Sequence, residues 1–213
     1  NGMPCFYKKK GRIYFNEPMH FVTYRAEIDN DGIKGLFPRW IARWEDAGLH
    51  KMRFFTNDTM VLKNTDYVQI IANGKLTAEH CFTGFSITAN YIVSHGGLLR
   101  VSFIVRPYGR MPVLSEYGST GADDKITARL PRFGVCIPVS RDFNRVRWFG
   151  RGEQQNYTDA TAAAPIGVYE LPIEKLNFEF DVPQETGSRC DTRYVQLKNG
   201  TDTLAVYGSD TFS

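Results

Sequence analysis

"CFTGFSITANYIVSHGGLLRVSFIV", Cys81 to Val105, is the stretch that decides the fold. Two runs rich in β-branched and aromatic residues, Cys81 to Val93 and Leu98 to Val105, flank His95-Gly96-Gly97, a turn signal that joins them as a hairpin. Similar short runs occur on both sides: "YVQIIA" (Tyr67 to Ala72), "FGVCIPV" (Phe133 to Val139) and "TLAVYG" (Thr203 to Gly208). Asn73-Gly74, between Ala72 and Lys75, reads as a second hairpin turn. Strands recurring at intervals of about ten residues, with no helical stretches between them, predict an antiparallel sandwich rather than a βαβ fold.

One helix is predicted. In "PRWIARWEDAG", Pro38 suits a first helical position, Trp40, Ile41 and Trp44 share a face, and Gly48 closes the end. The tryptophan pair reads as core packing ahead of a sugar-stacking platform. Around Tyr117 to Ile126, "YGSTGADDKI" reads as an inter-strand loop.

Composition narrows the function classes. The 213 residues can bury a substantial core and suit one all-β domain. With 26 basic and 23 acidic residues the chain carries +3, too little and too scattered to imply nucleic acid. The run Lys8-Lys9-Lys10 reads as a solvated turn. Cys5, Cys81, Cys136 and Cys190 are far apart, which disfavours zinc and thioredoxin-type chemistry and predicts free or packed thiols. No apolar run approaches the ~18 residues of a membrane span, and nothing resembles a signal peptide. Because the chain starts at Asn1-Gly2 without an initiator methionine, a piece trimmed from something longer is expected.

Catalytic chemistry is hard to place. Acids cluster at Asp29 and Asp31, at Asp123-Asp124, and at Glu174, Glu179 and Asp181; alternation with Phe178 and Phe180 makes Glu179 and Asp181 read as solvent-facing strand residues. None of His20, His50, His80 or His95 lies in a nucleophile elbow, and His80 reads as an ordinary sheet histidine. "WFGRGEQQNYTDATAAA" (Trp148 to Ala164) supplies Gly150 and Gly152 but no third glycine, so it fails as a phosphate cradle. It reads instead as the end of a strand, "RVRWFG", running into a loop where Asn156, Tyr157 and Asp159 can bond to open backbone groups.

The same segment resembles a known family. "WFGRGEQQNYTD" (Trp148 to Asp159) is similar to the W-x-G-x-G-P-x-E-N-Y-x-D signature of the C-terminal, or small-chain, domain of the β-galactosidases of glycoside hydrolase family two. "YRAEIDNDG" (Tyr24 to Gly32) resembles that domain's R-A-P-x-D-N-D motif, and "WIARWEDAG" (Trp40 to Gly48) its W-x-x-x-G helix. "LPRFGVCIPV" (Leu130 to Val139) resembles its L-P-R-x-G strand, and "VPQETGSRCDTRYVQL" (Val182 to Leu197) its P-Q-E-x-G-x-R-x-D-x-R-W segment. The motifs come in the family's order and cover nearly the whole chain.

The resemblance implies an all-β antiparallel supersandwich of the galactose-mutarotase-like type with one short helix. Residues 1–213 would form a single small-chain domain of a longer retaining enzyme, whose own domain boundaries lie beyond both ends. The catalytic glutamates, and the parent's Mg2+ and Na+, would belong to other domains, leaving no catalytic group and no cofactor here. Expected partners are those other domains and a β-galactoside, with no nucleic acid or membrane, in a homo-oligomeric parent. A cytoplasmic location is preferred to a periplasmic one. The family's substrate-site tryptophan would lie beyond Ser213, and strand edges left bare there would favour association.

Residue roles follow from the same resemblance. Asp29, Asn30, Asp31, Gly32 and Trp40 are candidates for the rim of the sugar pocket. Arg25, Trp148, Gly150, Gly152, Asn156, Tyr157, Asp159, Arg189 and Arg193 are expected to be structural. Arg25 is expected to pair with a nearby carboxylate, while Asn30 and Asp31 shape the turn. Arg189, Asp191 and Arg193 would share a strand face as an ion-pair network. Departures are Glu27 and Glu153 in place of prolines, Gln155 in place of glutamate, Tyr194 in place of tryptophan, and a shorter loop from Gly32 to Pro38. A free-standing aldose 1-epimerase and a non-catalytic carbohydrate-binding module are the alternatives.

Overall fold

The computed structural model describes residues 2–28, 31, 40–109, 130–182 and 184–213. Its first strands are β1 (Tyr7–Lys9), β2 (Arg12–Phe15) and β3 (His20–Val22), followed by the helix α1 (Trp40–Asp46). Four longer strands come next: β4 (Arg53–Lys63), β5 (Tyr67–Thr77), β6 (Gly84–Ser94) and β7 (Leu99–Tyr108). The remainder are β8 (Gly134–Cys136), β9 (Arg145–Arg151), β10 (Ile166–Pro172), β11 (Thr192–Asn199) and β12 (Asp202–Phe212). The described strand pairs are all antiparallel, as an all-β chain with hairpin turns predicts.

The hairpin read from Cys81 to Val105 is β6–β7, and it lies in a four-stranded sheet of order β4-β5-β6-β7. Alternate residues face inward: Ala72 and Leu76 of β5 and Phe85, Ile87, Ala89 and Tyr91 of β6 are buried, with Val101, Phe103 and Val105 of β7 packed beside them. The short β3–β8 pair lies over this face. Phe21 of β3 contacts Phe54, Phe103 and Phe133 at 5.5, 5.0 and 6.0 Å between ring centroids. Each such side chain contributes about 1.5–3 kcal/mol by leaving water, so these aromatics anchor the layer.

Asn73-Gly74 is not a turn. Both residues lie inside β5, opposite a bulge in β4 between Thr56 and Asp58. Asn73 donates through Nδ2 to Asp58 Oδ1 at 2.8 Å and accepts from Thr88 Oγ1 at 2.8 Å, so its side chain ties three strands together. A Cβ on Gly74 would come within 2.2 Å of the Phe55 carbonyl oxygen; the glycine serves close approach rather than reversal. His80 is likewise no sheet residue: it sits exposed in the turn before β6 with φ at 61°. Glu179 and Asp181 are exposed, but on an irregular segment in which Phe178 and Phe180 are exposed as well and contact each other at 4.8 Å. Lys8 and Lys9 belong to β1, and the turn of that hairpin is Lys10-Gly11.

Helix α1 ends at Asp46 and Gly48, two residues on, takes the left-handed φ of 69° that closes it, as its sequence predicts; Pro38 and the Tyr117 to Ile126 loop lie outside the described residues. Trp44, Ala47 and Leu49 form a buried cluster with Tyr24, Trp40 and Met52 against it. Arg43, which the face-sharing pattern does not include, is also buried, its guanidinium 5.2 Å from the Trp40 ring.

A second four-stranded sheet has the order β10-β9-β11-β12. Val146 and Trp148 of β9 are buried on one face. The β1–β2 hairpin connects the two large sheets. Arg12 pairs with Asp202 at 2.9 Å and lies over Phe143, while the Tyr7 hydroxyl donates to the Gly97 carbonyl between β6 and β7.

Candidate functional site

Four sequence motifs meet at one acid. Glu185 lies 3.9 Å from Arg25, forms an ion pair with Arg132, and its backbone carbonyl accepts the Tyr157 hydroxyl proton. Those partners come from the segment after β3, the segment before β8 and the loop after β9. Arg25 is the bridge onward. It grips Asp31 with two parallel N–H···O bonds of 2.7 and 2.8 Å, and its guanidinium covers the Trp44 ring at 5.2 Å. Asp31 Oδ2 also accepts the Ile28 N–H at 3.0 Å. With Asp31 side chain 6% and Glu185 16% exposed, the cluster sits in a low-dielectric setting where removing one member costs more than the intact group contributes.

Glu27, one of the departures from the family pattern, accepts the Tyr24 hydroxyl proton at 2.6 Å. Burial first, and this bond second, push the Tyr24 phenol above its ordinary pKa. Gln155, another departure, accepts the Gly187 N–H at 3.1 Å, which a neutral amide does as well as a carboxylate.

Below this cluster the loop after β9 is built on Asn156, 1% exposed. Its Nδ2 donates to the Gln154 carbonyl at 3.1 Å, its Oδ1 accepts from the Cys190 N–H at 2.8 Å, and its own N–H donates to Ser188. Trp148, 2% exposed, donates from Nε1 to the Arg151 carbonyl at 2.9 Å and packs on Tyr169. Gly150 faces β11 so closely that a Cβ would lie 2.8 Å from Thr192 Cα, and a Cβ on Gly152 would strike Trp148. Burial raises the Tyr157 phenol pKa, opposed by the Ser188 backbone beside it and by the charges of Arg132 and Arg189. Asp159 is exposed in the turn closed by the Ala160 N–H on Tyr157.

The expected Arg189, Asp191, Arg193 face does not form, because β11 starts only at Thr192 and Asp191 has φ at 52°. Arg189 covers Trp148 on one side of the sheet and Arg193 covers Phe149 on the other, while Asp191 pairs with Arg151 at 2.5 Å. Burial lowers the Arg189 pKa.

Of the rim candidates, Asp31 is buried in the Arg25 pair and Trp40 packs on the helix cluster; Asp29, Asn30 and Gly32 lie outside the described residues. Among the described residues no three of His, Cys, Asp and Glu are grouped to hold a metal ion, and no histidine pairs with a carboxylate. No helix there is long and apolar enough to cross a membrane. Glu185 was not among the candidate residues; its signal was the fixed acid of the P-Q-E motif, with arginines in two other motifs to receive it.

The family model for the β-galactosidase small chain matches residues 1–213. The chain belongs to that family. Among curated relatives, a β-galactosidase of Vibrio cholerae is 29% identical over 194 residues, covering 89% of this chain and 17% of that protein. One from Lactobacillus delbrueckii subsp. bulgaricus is 29% identical over 196 residues, with 92% and 17% covered. A third, from Actinobacillus pleuropneumoniae, is 24% identical over 207 residues, with 97% and 18% covered. The small-chain domain thus spans under a fifth of the length of these β-galactosidases. Four of the five motifs quoted from the sequence meet at Glu185, and the helix motif reaches them through Trp44 beneath Arg25.

Proposed function

We propose that this domain is an accessory part of a retaining β-galactosidase, completing and shielding an active site whose acid/base and nucleophile glutamates lie in a separate barrel domain. The observation that carries this reading is the inward commitment of the motif residues. Asp31 gives both oxygens to Arg25, Glu185 is held by Arg25 and Arg132, and Asn156 spends its amide on backbone groups. Glycoside hydrolysis needs two carboxyl groups free to meet the substrate across the scissile bond, and Asp31 and Glu185, the acids at the motif junction, are engaged with arginines. The chain's share of its relatives, 17–18%, supports the same reading.

In this reading the segment carrying Asp29, Asn30, Asp31 and Gly32, together with Trp40, borders the sugar pocket. The Arg25–Asp31 pair fixes the base of that segment rather than touching sugar. The parent's Mg2+ and Na+ are held by other domains, and the parent is a homo-oligomer acting on terminal β-galactosides.

Nitrophenyl galactoside hydrolysis tests the proposal. The purified 213-residue chain should release no nitrophenol, the full-length parent should, and the parent without these residues should lose most of its rate. Turnover by the clean chain alone, or full activity of the parent without it, overturns the reading.

A further inference from the structure

Among the described residues, one face of the second sheet carries apolar side chains left largely in solvent, with the Arg193 guanidinium 5.1 Å over the Phe149 ring. Val168 of β10 stands opposite Phe149 of β9, Phe149 opposite Tyr194 of β11, and Tyr194 opposite Tyr207 of β12. A single file of apolar side chains therefore crosses the whole sheet, with ring centroids 6.0 Å apart for Phe149–Tyr194 and 5.9 Å for Tyr194–Tyr207. Ile166, two residues before Val168, extends it on the same face. Tyr207 is 66% exposed, Val168 52% and Ile166 47%, whereas Trp148 and Val146 on the opposite face are 2% and 5% exposed. A contiguous apolar patch of this kind marks a place of contact.

We propose that this file is the docking face for the rest of the β-galactosidase polypeptide, meeting an apolar protein surface of another domain. The inference rests on the accessory-domain reading, and two observations choose the occupant. Relatives carry more than four-fifths of their length outside the matched segment, so a large body of the same polypeptide is available to cover it. Successive rings are tilted by 51° and 48°, which makes a ridge. Stacking a sugar ring calls for a flat platform, whereas a ridge interleaves with side chains of a second protein layer. Charges flank the file: Arg145 and Lys198 bind Glu170 at 2.9 and 2.8 Å, Arg151 binds Asp191, and Arg147 shares the same face of β9, so the patch is apolar along its file and basic beside it. A tethered domain is held beside this face at a high effective concentration.

Cysteine labelling in the full-length parent tests this. Tyr207→Cys should react with a maleimide, read by mass spectrometry at that peptide, at least about tenfold more slowly in the native parent than in the urea-unfolded one. Val168→Cys, on the opposite edge strand, should behave alike and serves where the first variant fails to fold. Equal labelling in native and unfolded parent overturns the proposal. So does protection that vanishes on dilution to single subunits, which would assign the face to a second copy. Protection that appears only with an added galactan oligosaccharide overturns it too, since a glycan would then be the occupant. Galactoside hydrolysis by the same variants separates the two claims: an active parent with a freely labelled Tyr207→Cys leaves the accessory role standing and removes only the docking face.

Discussion

Asn156 and Cys190 are locked together across 34 positions of sequence: the Cys190 N–H donates to Asn156 Oδ1 at 2.8 Å, and the Cys190 thiol donates to the Asn156 carbonyl at 3.5 Å. Both residues are buried, at 1% and 5% exposure. Asn156→Ala strands the Cys190 N–H and the Gln154 carbonyl without partners, each costing about 1–3 kcal/mol. Urea titration should show about 2–4 kcal/mol lost, with an unchanged slope.

The Arg25–Asp31 pair makes a coupled prediction. Arg25→Met or Asp31→Leu alone leaves the other charge in a half-dry cluster and should cost about 3 kcal/mol. Together they should cost about 1–3 kcal/mol less than the sum, because neither charge is then abandoned. Strict additivity in a double-mutant cycle would show that the pair contributes nothing specific.

Glu170 sets an acid limit. Its bonds to Lys198 and then Arg145 lower its pKa from 4.5 to about 2. A carboxylate depressed in the folded state stabilises above its unfolded pKa, and that contribution is lost as pH falls from about 4.5 toward 2. Glu170→Gln should therefore flatten the fall in stability across that window, measured by thermal unfolding at stepped pH. Because the group is exposed, added salt should shrink the difference.

Gly150→Ala places a methyl 2.8 Å from Thr192 Cα, a backbone atom that cannot rotate away. The β9–β11 ladder must part locally, and about 2 kcal/mol or more of stability should be lost. Faster amide exchange in β9 and β11, with β5 and β6 unchanged, would report the damage.

The legible part of this fold was the part written in local pattern. The runs within β5, β6, β7, β8, β9 and β12 carry β-branched and aromatic residues, and His95-Gly96-Gly97 marks the turn between β6 and β7. Arg53–Lys63 forms a strand that the sequence reading lacked, because the bulge at Thr56–Asp58 shifts its alternation midway. Asn73-Gly74 misled for a related reason: the dipeptide that most favours a hairpin turn is used here to link strands and to let the Phe55 carbonyl approach. At the motif junction, the arginine partner of Asp31 is six positions away and readable, whereas Glu185 gathers Arg132 and Tyr157 from 53 and 28 positions off. No short-range period encodes such convergence; only the motif resemblance hinted that those residues belong together. Arg189 to Arg193 failed because a left-handed residue at Asp191 breaks the two-residue repeat on which face assignment depends.

The Cys190 thiol, sealed behind Asn156, gives the molecule a built-in clock. A thiol reagent can reach that sulfur only while the seam between the β9 loop and the run into β11 is open. Its rate of modification under native conditions therefore measures how often the region comes apart, without unfolding the hairpins around β6.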